Sequence, residues 1–124
     1  MTARAHCRTL RRYLQDSKGV DMILVRFVCQ AKVGKSSDVA AGFKRSAEIV
    51  RTLVGPNVRA RLLTDLSGPF DTVVQELELE SLAEWERLRT VIFSNPEIQA
   101  VEADMPDVIV SGQTEYYTIE AEWR

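Results

Sequence analysis

A chain of 124 residues, 45% hydrophobic and 27% charged, is long enough for one domain around one core. Its net charge of −2 offers no general electrostatic case for binding nucleic acid. No apolar run approaches the ~20 residues of a membrane span, so a membrane protein is not expected.

The first 21 residues differ from the rest. Arg4, Arg8, Arg11, Arg12 and Lys18 stand against Asp16 and Asp21, a net of +3 that leaves −5 for the remainder. Leu10, Tyr13 and Leu14 make an apolar stripe too small to hold a helix unless it docks on the body. Residues 1–21 read as a basic extension, or as sequence ahead of the true start, with a targeting role as the weaker alternative. Residues 22–124 read as the folded domain. The two cysteines, Cys7 and Cys29, have no CxxC spacing, and no secretory apolar region precedes them. This pattern implies free thiols and a reducing, cytoplasmic setting.

"MILVRFVCQAK" (22–32) alternates and is rich in β-branched and aromatic residues, which predicts a first strand. Ile23, Val25, Phe27, Cys29 and Ala31 share one face; Leu24, Arg26, Val28, Gln30 and Lys32 share the other. A loop follows, with Ser36 or Ser37 as candidate helix N-caps. In 38–54, Val39, Phe43, Ala47, Val50 and Val54 recur every three or four residues and predict an amphipathic helix, weakened at Gly42 and stopped by "GPN" at 55–57.

"VRARLLTDL" (58–66) predicts a second strand, with Arg59, Arg61 and Leu63 on one face and Ala60 and Leu62 on the other. The third, 70–80, puts Val73, Gln75, Leu77 and Leu79 opposite Thr72, Val74, Glu76, Glu78 and Glu80. Ser81 and Glu84 have capping-box spacing, which explains why the period changes from two to 3.6 without a glycine or proline. Leu82, Trp85, Leu88 and Ile92 form the stripe of the second helix. Pro96 suits the first turn of a short helix over about 96–104. Residues 113–123 predict the last strand, with Tyr116, Thr118 and Glu120 on one face and Glu115, Tyr117 and Ile119 on the other.

The order βαββαβ predicts an α+β, ferredoxin-like domain: a four-stranded antiparallel sheet with both helices on one face. The face left bare then holds Leu24, Arg26, Val28, Gln30, Arg59, Arg61, Leu63, Thr72, Val74, Glu76, Glu78, Tyr116, Thr118 and Glu120. Such a mixture suits neither water nor a core. Packing against a second copy of itself resolves the conflict, with arginines and glutamates paired within a chain or across a two-fold axis.

The ligand-binding candidates are Arg26, Arg61, Glu76, Glu78, Tyr116 and Glu120. A phenol at Tyr116 beside Arg26 and Arg61 can hydrogen-bond a small organic ligand. Glu76 and Glu78, ~7 Å apart along a strand, can with Glu120 bind a hard cation or act as an acid–base pair; the nearby arginines favour ion pairing. No catalytic residue is identified. One histidine and two separated cysteines give no metal site, and no cofactor is indicated. "GKSS" (34–37) lacks the leading glycine of a phosphate loop, since position 29 is Cys29. An acidic third strand argues against RNA.

"MILVRF", the "SLAEWERL" helix directly after a strand, "FSNPEIQAV" and "EYYTIE" resemble the dimeric α/β-barrel superfamily, most of all NIPSNAP-like and antibiotic-biosynthesis-monooxygenase-like domains, over about residues 22–122. The resemblance implies a homodimer in which two four-stranded sheets face each other as a barrel. It also implies a cleft, between sheet and helices or within the barrel, for a small organic molecule. The function expected is a small-molecule-binding or structural interaction module. The alternative is a cofactor-independent monooxygenase-like enzyme acting on a small aromatic or polyketide-like substrate and using Arg26, Arg61, Glu76 and Tyr116. Haem-degrading relatives use a histidine ligand, and the lone histidine here, His6, lies outside the resembling region.

Overall fold

The computed structural model describes residues 22–55 and 58–123. The expectations for residues 1–21, including Cys7 and His6, lie outside the described residues. The chain runs β1 (Ile23–Ala31), α1 (Ser36–Val54), β2 (Arg59–Thr64), β3 (Thr72–Leu79), α2 (Leu82–Ser94), α3 (Pro96–Glu102), a 3₁₀ turn (Met105–Asp107) and β4 (Ile109–Thr118). The strands form one antiparallel sheet in the order β2-β3-β1-β4, the ferredoxin-like arrangement the element order predicts.

Local chemistry explains most boundaries. Ser81 caps α2, its hydroxyl accepting from the Glu84 amide at 3.1 Å. Only half of the expected box forms, because the Glu84 carboxylate accepts from Arg87 one turn on. Asn95 caps α3, its side chain accepting from the amides of Glu97 and Ile98 at 2.9 and 3.1 Å, with Pro96 directly after it. The N-cap of α1 is Lys35, not Ser36 or Ser37, and no side chain caps that end. Asp71 adopts a left-handed backbone, φ 60°, so β3 begins at Thr72 and not at Phe70. The same residue ties two loops to β1: its carbonyl accepts from the Ala31 amide at 2.9 Å, and its carboxylate from the Gly34 amide at 3.1 Å.

The last strand departs most from expectation. Pairing with β1 extends back to Ile109, through a bulge between Gln30 and Ala31, and the strand ends at Thr118. Residues 109–112, ahead of the expected start at 113, therefore open the strand.

All three helices lie over one side of the sheet, and the core there falls into two packed ends. Cys29, Ala31 and Val73 pack with Val39 and Ala40 of α1 and with Met105. Ile23, Val25 and Leu79 pack with Leu88 of α2. Gly42, which sequence propensity marks only as a weak point, is where the Met105 side chain seats against α1; a Cβ there would overlap the methionine methyl. Leu82, expected in the buried stripe of α2, is 54% exposed.

Candidate functional site

The sheet side that no described helix covers carries an ionic row. Register places Arg61 opposite Glu76, Glu76 opposite Arg26, and Arg26 opposite Glu115. Directly opposed residues in an antiparallel sheet share a face. The row thus runs plus, minus, plus, minus straight across all four strands. Arg61 Nη2 lies 2.5 Å from Glu76 Oε1, Arg26 Nε 3.4 Å from Glu76 Oε2, and Arg26 Nη1 3.5 Å from Glu115 Oε1.

Glu76 is the buried member, 8% exposed, while both arginine heads remain partly in solvent. The Arg26 Nε atom is itself buried and faces Glu76 without hydrogen-bond geometry. Its contact is therefore an ion pair and not a directed bond. On one side of this row, Arg59 reaches Glu78 at 3.7 Å and Glu122 at 3.3 Å. On the other lies an apolar row, Leu63, Val74 and Val28 in register, with Leu63 40% exposed.

Of the six residues expected here, Arg26, Arg61 and Glu76 are brought together and Glu78 joins the neighbouring row. Tyr116 is not on this side. It lies opposite Val25, on the helix face, and Trp85 Nε1 donates to its hydroxyl at 3.2 Å. Glu115 and Tyr117 hold the places given to Tyr116 and its neighbours. The phase of β4 is inverted relative to expectation because Ile119, Ala121 and Trp123, whose apolar alternation suggested the inward face, lie beyond the end of the strand. Glu120 is also past the strand end, so sheet register does not assign it a face. Among the described residues, no group of three or more His, Cys, Asp or Glu can hold a metal, and no helix is long and apolar enough to cross a membrane.

The helix side holds a second feature. Between the two packed ends of the core is a cavity of about 200 Å³. Its floor is Val25, Phe27, Gln75 and Leu77; its walls include Phe43, Ala47 and Val50 of α1, Trp85 and Ile92 of α2, and Ile98 of α3. Phe27 meets Phe43 edge to face, centroids 5.8 Å apart. Its ring also lies over Gly112, where a Cβ would come within 2.9 Å. The Trp85–Tyr116 hydrogen bond links α2 to the edge strand beside this space. Two charged residues, Arg51 and Glu102, line the cavity with their side chains largely in solvent. Partial burial pushes the Glu102 carboxyl above its ordinary value. Cys29 is fully buried and free, and burial raises its thiol too, which marks an inert core cysteine.

Sequence reasoning placed Gln75 on the inward face but assigned it nothing. It also gave Glu115 to the wrong face. The signal for Gln75 was present: an amide among Val73, Leu77 and Leu79 breaks an otherwise apolar alternation.

No protein-family model matches the chain, and no curated protein matches it. Solved structures do. A NIPSNAP-like domain protein from Burkholderia xenovorans superposes with a TM-score of 0.67 at 19% identity, covering 78% of this chain and 84% of that one. A NIPSNAP family protein from Agrobacterium tumefaciens gives 0.68 at 15% identity, covering 79% and 87%. An antibiotic-biosynthesis-monooxygenase-like protein from Chloroflexus aurantiacus gives 0.60 at 15%, covering 78% and 91%.

The ionic row makes a measurable demand on stability. Glu76→Ala leaves Arg26 and Arg61 facing each other and is expected to cost about 1–3 kcal/mol in denaturant unfolding. The double variant Arg26→Met, Glu76→Leu removes the central charges together and is expected to recover most of that loss. Equal, additive losses would show that the row carries no coupling. In fold, the chain is a ferredoxin-like α+β domain of the kind these NIPSNAP-like and monooxygenase-like proteins share.

Proposed function

We propose that this protein is a small-molecule-binding module that works as a homodimer, two copies packing through the sheet side opposite the helices. The observation that carries the binding role is the cavity: about 200 Å³ of space lined mainly by aromatic and aliphatic side chains, where a core of this size would ordinarily be filled. Support for the dimer comes from the other side. Val28, Val74 and Leu63 form an apolar row beside a neutralised ionic row, which is a surface that a second copy satisfies better than water does. Charges already paired within one chain can meet their two-fold mates without leaving a buried ion unpaired. The free, buried thiol of Cys29 accords with a reducing, cytoplasmic setting.

One observation favours a second reading, an oxygenase without metal or flavin: a carboxyl with raised proton affinity, Glu102, lines the cavity. The module reading is preferred because Arg26, Arg61 and Glu76, which an enzyme of that kind would use, are engaged with one another on the opposite side of the sheet. Oxygen uptake in the presence of a bound aromatic compound, lost in Glu102→Gln, would favour the enzyme. Its absence for every compound that binds is the expected result.

Two measurements test the main reading. Light scattering on the size-exclusion peak should give twice the 14.0 kDa chain mass, and Leu63→Lys should shift the protein to monomer by placing a charge in the apolar row that the second copy would cover. A wild-type monomer at micromolar concentration would refute the dimer. Small aromatic compounds should raise the wild-type melting temperature as binding linkage requires, and should do so much less in Ala47→Phe, whose ring occupies the cavity. Equal shifts in both proteins would place binding elsewhere.

A further inference from the structure

The inward face of the sheet has one residue out of character. Across the middle row, register aligns Leu62, Gln75, Phe27 and Thr114. Gln75 stands on a central strand, in the cavity floor, between the two packed ends of the core. No hydrogen bond from another described residue reaches its carboxamide, whereas the polar side chains of Trp85 and Tyr116 nearby are joined to each other. Gln75 is half-buried, and its carboxamide, with two donors and an acceptor, is open to the cavity space and able to take a partner there. Placed in an apolar cavity, it is the kind of group that orients a ligand.

We infer that the cavity takes an uncharged, single-ring molecule bearing one hydroxyl or carbonyl oxygen, and that Gln75 is the residue that recognises this oxygen. The inference rests on the binding role proposed above and adds its chemistry. Size sets the first limit. An apolar cavity of about 150 Å³ accepts benzene, so about 200 Å³ accommodates a ring with one or two small substituents. Fused three-ring polyketide skeletons exceed it. Charge sets the second limit. The floor contains no ionisable group, and the two charged lining residues, Arg51 and Glu102, keep their side chains largely in solvent; an anion or cation at the floor would lose its hydration without a partner. Polarity sets the third. The Gln75 amide can donate to a carbonyl or phenolic oxygen and accept from a hydroxyl, and the Thr114 hydroxyl lines the same space.

The test is a titration of the full chain, followed by backbone amide NMR, with p-cresol and with toluene, which has a similar shape but no oxygen. Both should perturb the amides of Phe27, Ala47 and Leu77, with p-cresol binding about tenfold more tightly, as one satisfied hydrogen bond requires. In Gln75→Leu, p-cresol should lose that tenfold while toluene is unchanged or binds more tightly. Gln75→Asn, which shortens the amide, provides the same comparison should the leucine variant not fold. Equal affinities for the two probes in the wild type, or an unchanged preference in either variant, would overturn the role of Gln75 and leave the cavity as a binding site. A hydroxyanthracene binding as tightly as p-cresol would overturn the size limit. Failure of every probe to perturb the cavity amides would overturn the binding role itself.

Discussion

Glu76 sits at the middle of the sheet with an arginine on each neighbouring strand, and much of the structure depends on keeping it so. Its carboxylate is nearly buried although no helix in the described chain covers it. The burial comes from the side chains of Arg61 and Arg26 beside it. A one-residue slip of either neighbour would turn an arginine to the other side and leave the carboxylate among apolar groups. The row adds little net stability, because its arginines remain partly solvated. Its contribution is to disfavour a one-residue slip, which would break the alternation of charges across β2, β3, β1 and β4.

The same alternation divides the sheet into two surfaces of different chemistry. One strand, β3, supplies Glu76 and Glu78 to the uncovered side and Gln75 and Leu77 to the helix side. On the uncovered side, charges are matched within the chain and a short apolar row lies next to them. On the helix side, the core is well packed at both ends and open in the middle, where Phe27 leans on Phe43 and over Gly112. Fixing the strand register on one side therefore fixes which residues enter the cavity on the other.

Where the sequence was legible, one period or one local motif sufficed. The alternation of 23–31 and 72–79, the Val39–Val54 stripe, the Ser81 cap and Pro96 after Asn95 are short-range signals, and the elements follow them closely. The candidate site was legible in part. Arg26, Arg61, Glu76 and Glu78 lie where alternation puts them, because their strands carry enough apolar residues to set the phase. Tyr116 does not. Strand β4 is an edge strand with nearly equal polarity on both faces, and threonines, tyrosines and glutamates fit either phase. Its phase is set by pairing with β1 and by the bulge at Gln30–Ala31, neither of which is written in the strand itself.

The sequence alone thus determined the order of elements, the fold class and the clash of charge and grease on one sheet face, since each follows from spacing along the chain. Tertiary structure decided the rest. It showed that the glutamates are satisfied by arginines from the adjacent strands, that Glu115 and not Tyr116 completes the row, and that Gly42 makes room for Met105. It also showed that a cavity with a glutamine in its floor remains between helices and sheet. Contacts between residues far apart in the chain, and the space left when side chains fail to fill a layer, depend on volumes and register in three dimensions, which no local pattern encodes.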